Sequence, residues 1–167
     1  GIAVQHGATG EVNNNTVSNY LKGSSRDIWI KKAGDLTLTG NILKTGDASN
    51  IGILVQNQKN DLNILGGNYI HNHGTGIKLV NSDNVNVSKV AVFNNTIGLN
   101  AINSKNLTLD GGAYCANGTG IRLDEKSDGA TIQNNAFVDS NKIGLLADGA
   151  DNLTIKDSEF TKNGTGI

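Results

Sequence analysis

One phrase returns along the whole chain, and its period limits what the chain can fold into. Gly1-Ile-Ala-Val, Asp27-Ile-Trp-Ile, Gly52-Ile-Leu-Val, Gly76-Ile-Lys-Leu, Gly98-Leu-Asn-Ala, Gly120-Ile-Arg-Leu and Gly144-Leu-Leu-Ala are copies of it, and Gly166-Ile167 opens another. The first apolar residues are Ile2, Ile28, Ile53, Ile77, Leu99, Ile121, Leu145 and Ile167, spaced by 26, 25, 24, 22, 22, 24 and 22 residues. A unit this short cannot bury a core alone; stacked copies can, and that makes a solenoid.

Each copy carries a second phrase, such as Asp35-Leu-Thr-Leu, Asp61-Leu-Asn-Ile, Asn84-Val-Asn-Val, Asn106-Leu-Thr-Leu or Asn152-Leu-Thr-Ile. The period-2 alternation of apolar residues predicts strands. Next comes a bend column of Asn14, Gly40, Gly66, Lys89, Gly111, Asn134 and Asp157. All but Lys89 are residue types that tolerate left-handed backbone angles, as a tight corner demands. A third strand follows, in which Val17, Leu43, Tyr69, Val92, Tyr114, Phe137 and Phe160 are expected to share one inward column. Three strands per repeat, stacked in register, predict an all-β, right-handed parallel β-helix of about seven coils.

Composition fits that reading. The chain holds 25 Asn and 22 Gly among 167 residues, with no Pro, and every inner strand of such a stack needs its N–H. Asn95, Asn117, Asn141 and Asn163 each stand three residues before the Gly that opens the next coil, where stacked amides can bond to one another. The seven Asn-X-Ser/Thr matches (Asn14, Asn86, Asn94, Asn106, Asn117, Asn152 and Asn163) mostly fall out of this ladder. The lone Cys115 excludes a disulfide framework, and no apolar run is long enough to span a bilayer as a helix. A net charge of −1 argues against nucleic acid. Neither end carries an atypical polar cap, so residues 1–167 read as one uncapped segment of a longer β-helix, with further coils or caps as its neighbours.

These Gly-Ile-x-Leu, Asn-Leu-Thr-Ile and Asn-Gly-Thr phrases resemble the repeats of pectate-lyase-like proteins, most closely the NosD-like and alginate-epimerase-like group. The resemblance implies the right-handed parallel β-helix and, in its enzymes, a polysaccharide lying along the first strand of each coil. It also implies an extracellular, cell-surface or virion-surface setting. Other motifs of the enzymes are missing: there is no Asp-Asp pair, no Gly-His-Gly, no Arg-x-Lys and, without Pro, no Asp-Pro-His-Glu or Arg-x-Pro. With three His, one Cys and no Met, ligands for copper or zinc are scarce.

Outward positions of the first strand include Trp29, Lys31, Lys78, Asn100 and Arg122, the expected substrate-binding set. Trp29 offers a ring for stacking, Asn100 an amide for hydroxyls, and the cations a match for uronate carboxylates. His71 and His73 precede Lys78 and are candidate acid/base groups. Asp124 and Asp148 fall in register on adjacent coils, so one pKa should rise or a cation should be recruited. They are candidates for glycoside cleavage or for a Ca²⁺ site, the one cofactor considered. Two function classes follow. One is an extracellular polysaccharide-interacting β-helix, a segment of a lyase, epimerase or glycosidase acting on an acidic glycan. The other is a non-catalytic β-helix of an adhesin, surface protein or phage tailspike, homotrimeric in the last case. In either class the expected partner is a polysaccharide or neighbouring coils, with no nucleic acid and no membrane.

Overall fold

The computed structural model describes residues 1–19, 23 and 25–167. Among these, every regular element is a β-strand, and the strands form three parallel sheets of seven. The first sheet takes Ile2–Gln5, Arg26–Lys31, Ile51–Gln56, Thr75–Val80, Ile97–Ile102, Thr119–Leu123 and Ile143–Ala147. The second takes Gly10–Asn13, Leu36–Thr39, Leu62–Ile64, Val85–Ser88, Thr108–Asp110, Thr131–Gln133 and Thr154–Ile155. The third takes Thr16–Asn19, Ile42–Thr45, Tyr69–His71, Ala91–Phe93, Ala113–Cys115, Phe137–Asp139 and Glu159–Thr161. Seven coils of three strands therefore stack in chain order, as the repeat predicts.

The interior is a column of aliphatic side chains from all three sheets. Ile28, Ile53, Ile77, Leu99, Ile121 and Leu145 line it from the first sheet, and Leu38, Ile64, Val87, Leu109 and Ile132 from the second. The repeated Gly before the first strand's apolar residue is required by close approach, not by backbone angle. A Cβ on Gly98 would lie 2.5 Å from the Gly120 carbonyl oxygen and 3.0 Å from Asn117 Nδ2.

Stacked side chains satisfy the backbone at the corners, where the strand ladders are interrupted. At the third corner Asn141 Oδ1 accepts from the Asn117 N–H at 2.8 Å, and Asn163 Oδ1 from the Asn141 N–H at 2.9 Å. This is the expected ladder, and it continues through Asn95 and His73. Two more ladders carried no expectation. Asn15, Asn41 and Asn68 stack at the second corner. At the first corner Gln58, Ser82, Ser104 and Ser127 do so, each side-chain oxygen accepting the preceding coil's backbone N–H.

The third strand departs from expectation in two coils. Its inward column is Val17, Leu43, Ile70, Val92, Tyr114, Val138 and Phe160, so Tyr69 and Phe137 face out. The cause is one extra residue at the second corner of those coils. Leu38 to Leu43 is five positions, whereas Ile64 to Ile70 and Ile132 to Val138 are six. The corner absorbs the insertion at Gly66-Gly67 and at Asn134-Asn135; the left-handed residue of coil 3 is Gly67 (φ 80), not Gly66. Lys89, the unusual member of the bend column, still adopts φ 53. Of the two tyrosines in the expected column, Tyr114 lies in the core and Tyr69 does not, and the Tyr114 hydroxyl has no hydrogen-bond partner among the described residues.

Candidate functional site

The outer face of the first sheet holds the expected binding residues in one register. Trp29, Leu54, Lys78, Asn100, Arg122 and Leu146 are successive neighbours across six strands. Lys31, Gln56, Val80 and Ile102 form the parallel column two residues along. Strand stacking thus places Trp29 and Arg122 about 19 Å apart along the helix axis. Arg122 is exposed, Lys78 half-buried and Asn100 nearly covered.

Trp29 is half-buried and has three polar neighbours. Its indole N–H donates to Gln56 Oε1 at 2.8 Å, the Arg26 guanidinium sits 4.9 Å from the ring centroid, and Lys31 Nζ sits 5.6 Å from it. Arg26 was not among the sequence candidates because it precedes the recognisable phrase. Its contact with the Trp29 ring is what places it beside this face. Among the described residues, the ion pairs are Lys59–Asp83, His73–Asp27 and Lys105–Asp128. Arg26, Lys31, Lys78 and Arg122 are in none of them, so the face presents four cations to solvent.

The acidic residues stand at the edge of this face. Asp124, Glu125, Asp148 and Gly149 line a shallow cleft of about 260 Å³. Asp124 is a turn-forming carboxylate: it accepts from Ser127 Oγ at 2.7 Å, the Asn103 N–H at 3.0 Å and the Lys126 N–H at 3.2 Å. Partial burial pushes its pKa up, but the Ser127 hydroxyl and the two backbone donors outweigh this and hold it below the usual carboxylate value. Asp148 is exposed beside it.

The two histidines part company. His71 is on the outer face of the third sheet, stacked on Phe93 with ring centroids 4.8 Å apart. Desolvation and the neighbouring His73 lower its pKa. His73 occupies the ladder position and is fully buried, with Nε2 2.8 Å from Asp27 Oδ2, which is equally buried. Neither ring lies on the Lys78 face. The partner, Asp27, carried no sequence expectation. Each breaks a column of the repeat, Asp27 the Gly column and His73 the Asn column, but 46 residues apart, so only the fold brings the two breaks together.

Residues 49–167, well over half of the chain, match the family described as periplasmic copper-binding protein (NosD). The chain belongs to the NosD family. No curated protein and no solved structure matches it. Copper, named in the family's description, does not fit the residues of this NosD-family chain. No group of three or more His, Cys, Asp or Glu among the described residues could hold a metal ion. The sequence has no Met, and burial pushes the Cys115 thiol up, away from the thiolate that copper selects. His71 and Cys115 share an outer column but are separated by Phe93. The same result covers the Ca²⁺ expectation at Asp124 and Asp148, where the first carboxylate is already engaged by its own turn.

Proposed function

We propose that this NosD-family β-helix is a binding platform for an extended anionic polysaccharide on the outer side of the cytoplasmic membrane. The supporting observation is the register of the first sheet: Arg26, Lys31, Lys78 and Arg122 surround Trp29 and Asn100 on a continuous face, free of ion pairs. An extended sugar chain needs a long shallow track more than a deep pocket. The cations meet carboxylates or sulfates, Arg122 bidentately and Lys78 as a point charge. Asn100 supplies an amide for hydroxyls. The family's periplasmic description supports the location.

The platform binds without turnover on this reading. His71 and His73 lie away from the track, and the Asp124 carboxylate is held ionised by its turn. The test is calorimetric titration with polygalacturonate, alginate and a neutral glucan, alongside an assay for unsaturated or reducing-end products. Expected is binding of the polyuronates only, weakened by salt and lost by about tenfold or more in Arg122→Ala and Lys78→Ala. Equal binding of the neutral glucan, or binding untouched by both substitutions, overturns the anionic track. Product release overturns the absence of turnover.

A further inference from the structure

Ile42, Tyr69 and Phe137 are three of the four exposed large hydrophobic residues among the described ones, with 41%, 51% and 36% of their surfaces open. All three stand in one outer column of the third sheet, ordered Ile42, Tyr69, Ala91, Ala113, Phe137 and Glu159. The column beside it reads Lys44, His71, Phe93, Cys115, Asp139 and Thr161. Contiguous apolar surface of this kind marks an interaction face.

The order of residues says which partner fits. A two-fold axis along the Ala91–Phe93 strand, in the plane of contact, reverses the coil order and keeps each column facing itself. Ile42 of one copy then meets Phe137 of the other, and the bulky Tyr69 meets the small Ala113. Lys44 meets Asp139, and Phe93 meets its own copy at the axis. Each pair occurs twice, as an isologous interface requires. A two-fold axis along the stack would instead keep coils at equal height: run along this column it sets Lys44 against Lys44 and Asp139 against Asp139, and in no position does it set Lys44 against Asp139. The acid stays ionised for this role: Ser140 and Thr161 hydroxyls donate to it at 2.6 and 2.8 Å and hold its pKa down.

We infer that the outer face of the third sheet binds a second copy of this chain, coils antiparallel, about a two-fold axis at Phe93. The strip runs over five coils, about 19 Å. It belongs to the small class of interfaces, so the dimer forms as concentration rises. The first sheet's cationic face stays free in both copies.

Sedimentation equilibrium of the full chain over a concentration series tests the assembly, with circular dichroism confirming that each variant is folded. Expected is a mass that doubles with concentration. Phe137→Glu should abolish the association. Lys44→Asp and Asp139→Lys should each weaken it about tenfold, and the double exchange should restore it. In a Cys115→Ser background, a short bis-maleimide should join Ala91→Cys to its own copy and Ile42→Cys to Phe137→Cys, but not Phe137→Cys to itself. A monomer at every concentration overturns the inference. So does association indifferent to Phe137→Glu, or self-cross-linking at Phe137, which means coils at matched height. Loss of sugar binding in Tyr69→Ala with the chain monomeric overturns it in favour of a glycan occupant.

Discussion

Asn does two jobs in this chain that other residues do less well. Among the described residues eleven asparagines have positive φ, including Asn57, Asn81 and Asn103, which also pass side-chain hydrogen bonds up the first corner. Others, such as Asn117 and Asn141, are buried and bond backbone groups of adjacent coils. Where a different residue takes such a position, the cost must be met locally. His73→Asn would restore the ladder but leave the Asp27 carboxylate buried without its partner. A loss of about 2–4 kcal/mol is expected by chemical denaturation. Asp27→Gly together with His73→Asn restores both columns and should return to within about 1 kcal/mol of the parent. A single variant as stable as the double would show that the pair does not couple. Asp124 gives a pH-dependent case. Its folded pKa is depressed, so its stabilising contribution is complete above the unfolded carboxylate value, near 3.9. It fades as pH falls through the lower folded value. Asp124→Asn should therefore melt lower than the parent at neutral pH, and the gap should close on acidification; a pH-independent gap would mean that charge is not the cause.

At the scale of the strand, the third sheet decides which face a residue serves. Ile70 is fully buried and its neighbour Tyr69 is half open. Ile70→Ala is expected to cost about 2–5 kcal/mol and Tyr69→Ala about 0.5 or less, read from denaturant midpoints. The reverse ranking would return Tyr69 to the core. This is also where sequence reading reached its limit. The first two strands of each coil were legible because the Gly-Ile and Asn-Leu phrases anchor them on both sides. The third strand had no such phrase, and aromatic residues at constant spacing imitated a column. A one-residue insertion shifts side chains to the opposite face, and the pairings of Ile42 with Tyr69 and of Ala113 with Phe137 reveal it. The site divides similarly. Trp29, Lys78, Asn100 and Arg122 were legible from period alone. Asp27 and Arg26 were not, since their roles come from neighbours on other strands or at other corners.

For the whole molecule, stability is a sum over neighbouring coils more than a property of one centre. The middle coils contribute fully buried residues from all three sheets. In the last coil Leu153, Ile155 and Phe160 are only partly buried. Different faces can then be put to different uses: cations and Trp29 on the first sheet, a self-complementary apolar strip on the third. The corner insertions at Gly66-Gly67 and Asn134-Asn135 suggest how such faces diversify. A gained residue at a left-handed corner is an edit confined to one coil: it exchanges what that coil displays, while Ile70 and Val138 stay in line with the residues above and below. A small insertion that would shift every later residue in most β-sheets is absorbed here within a single corner.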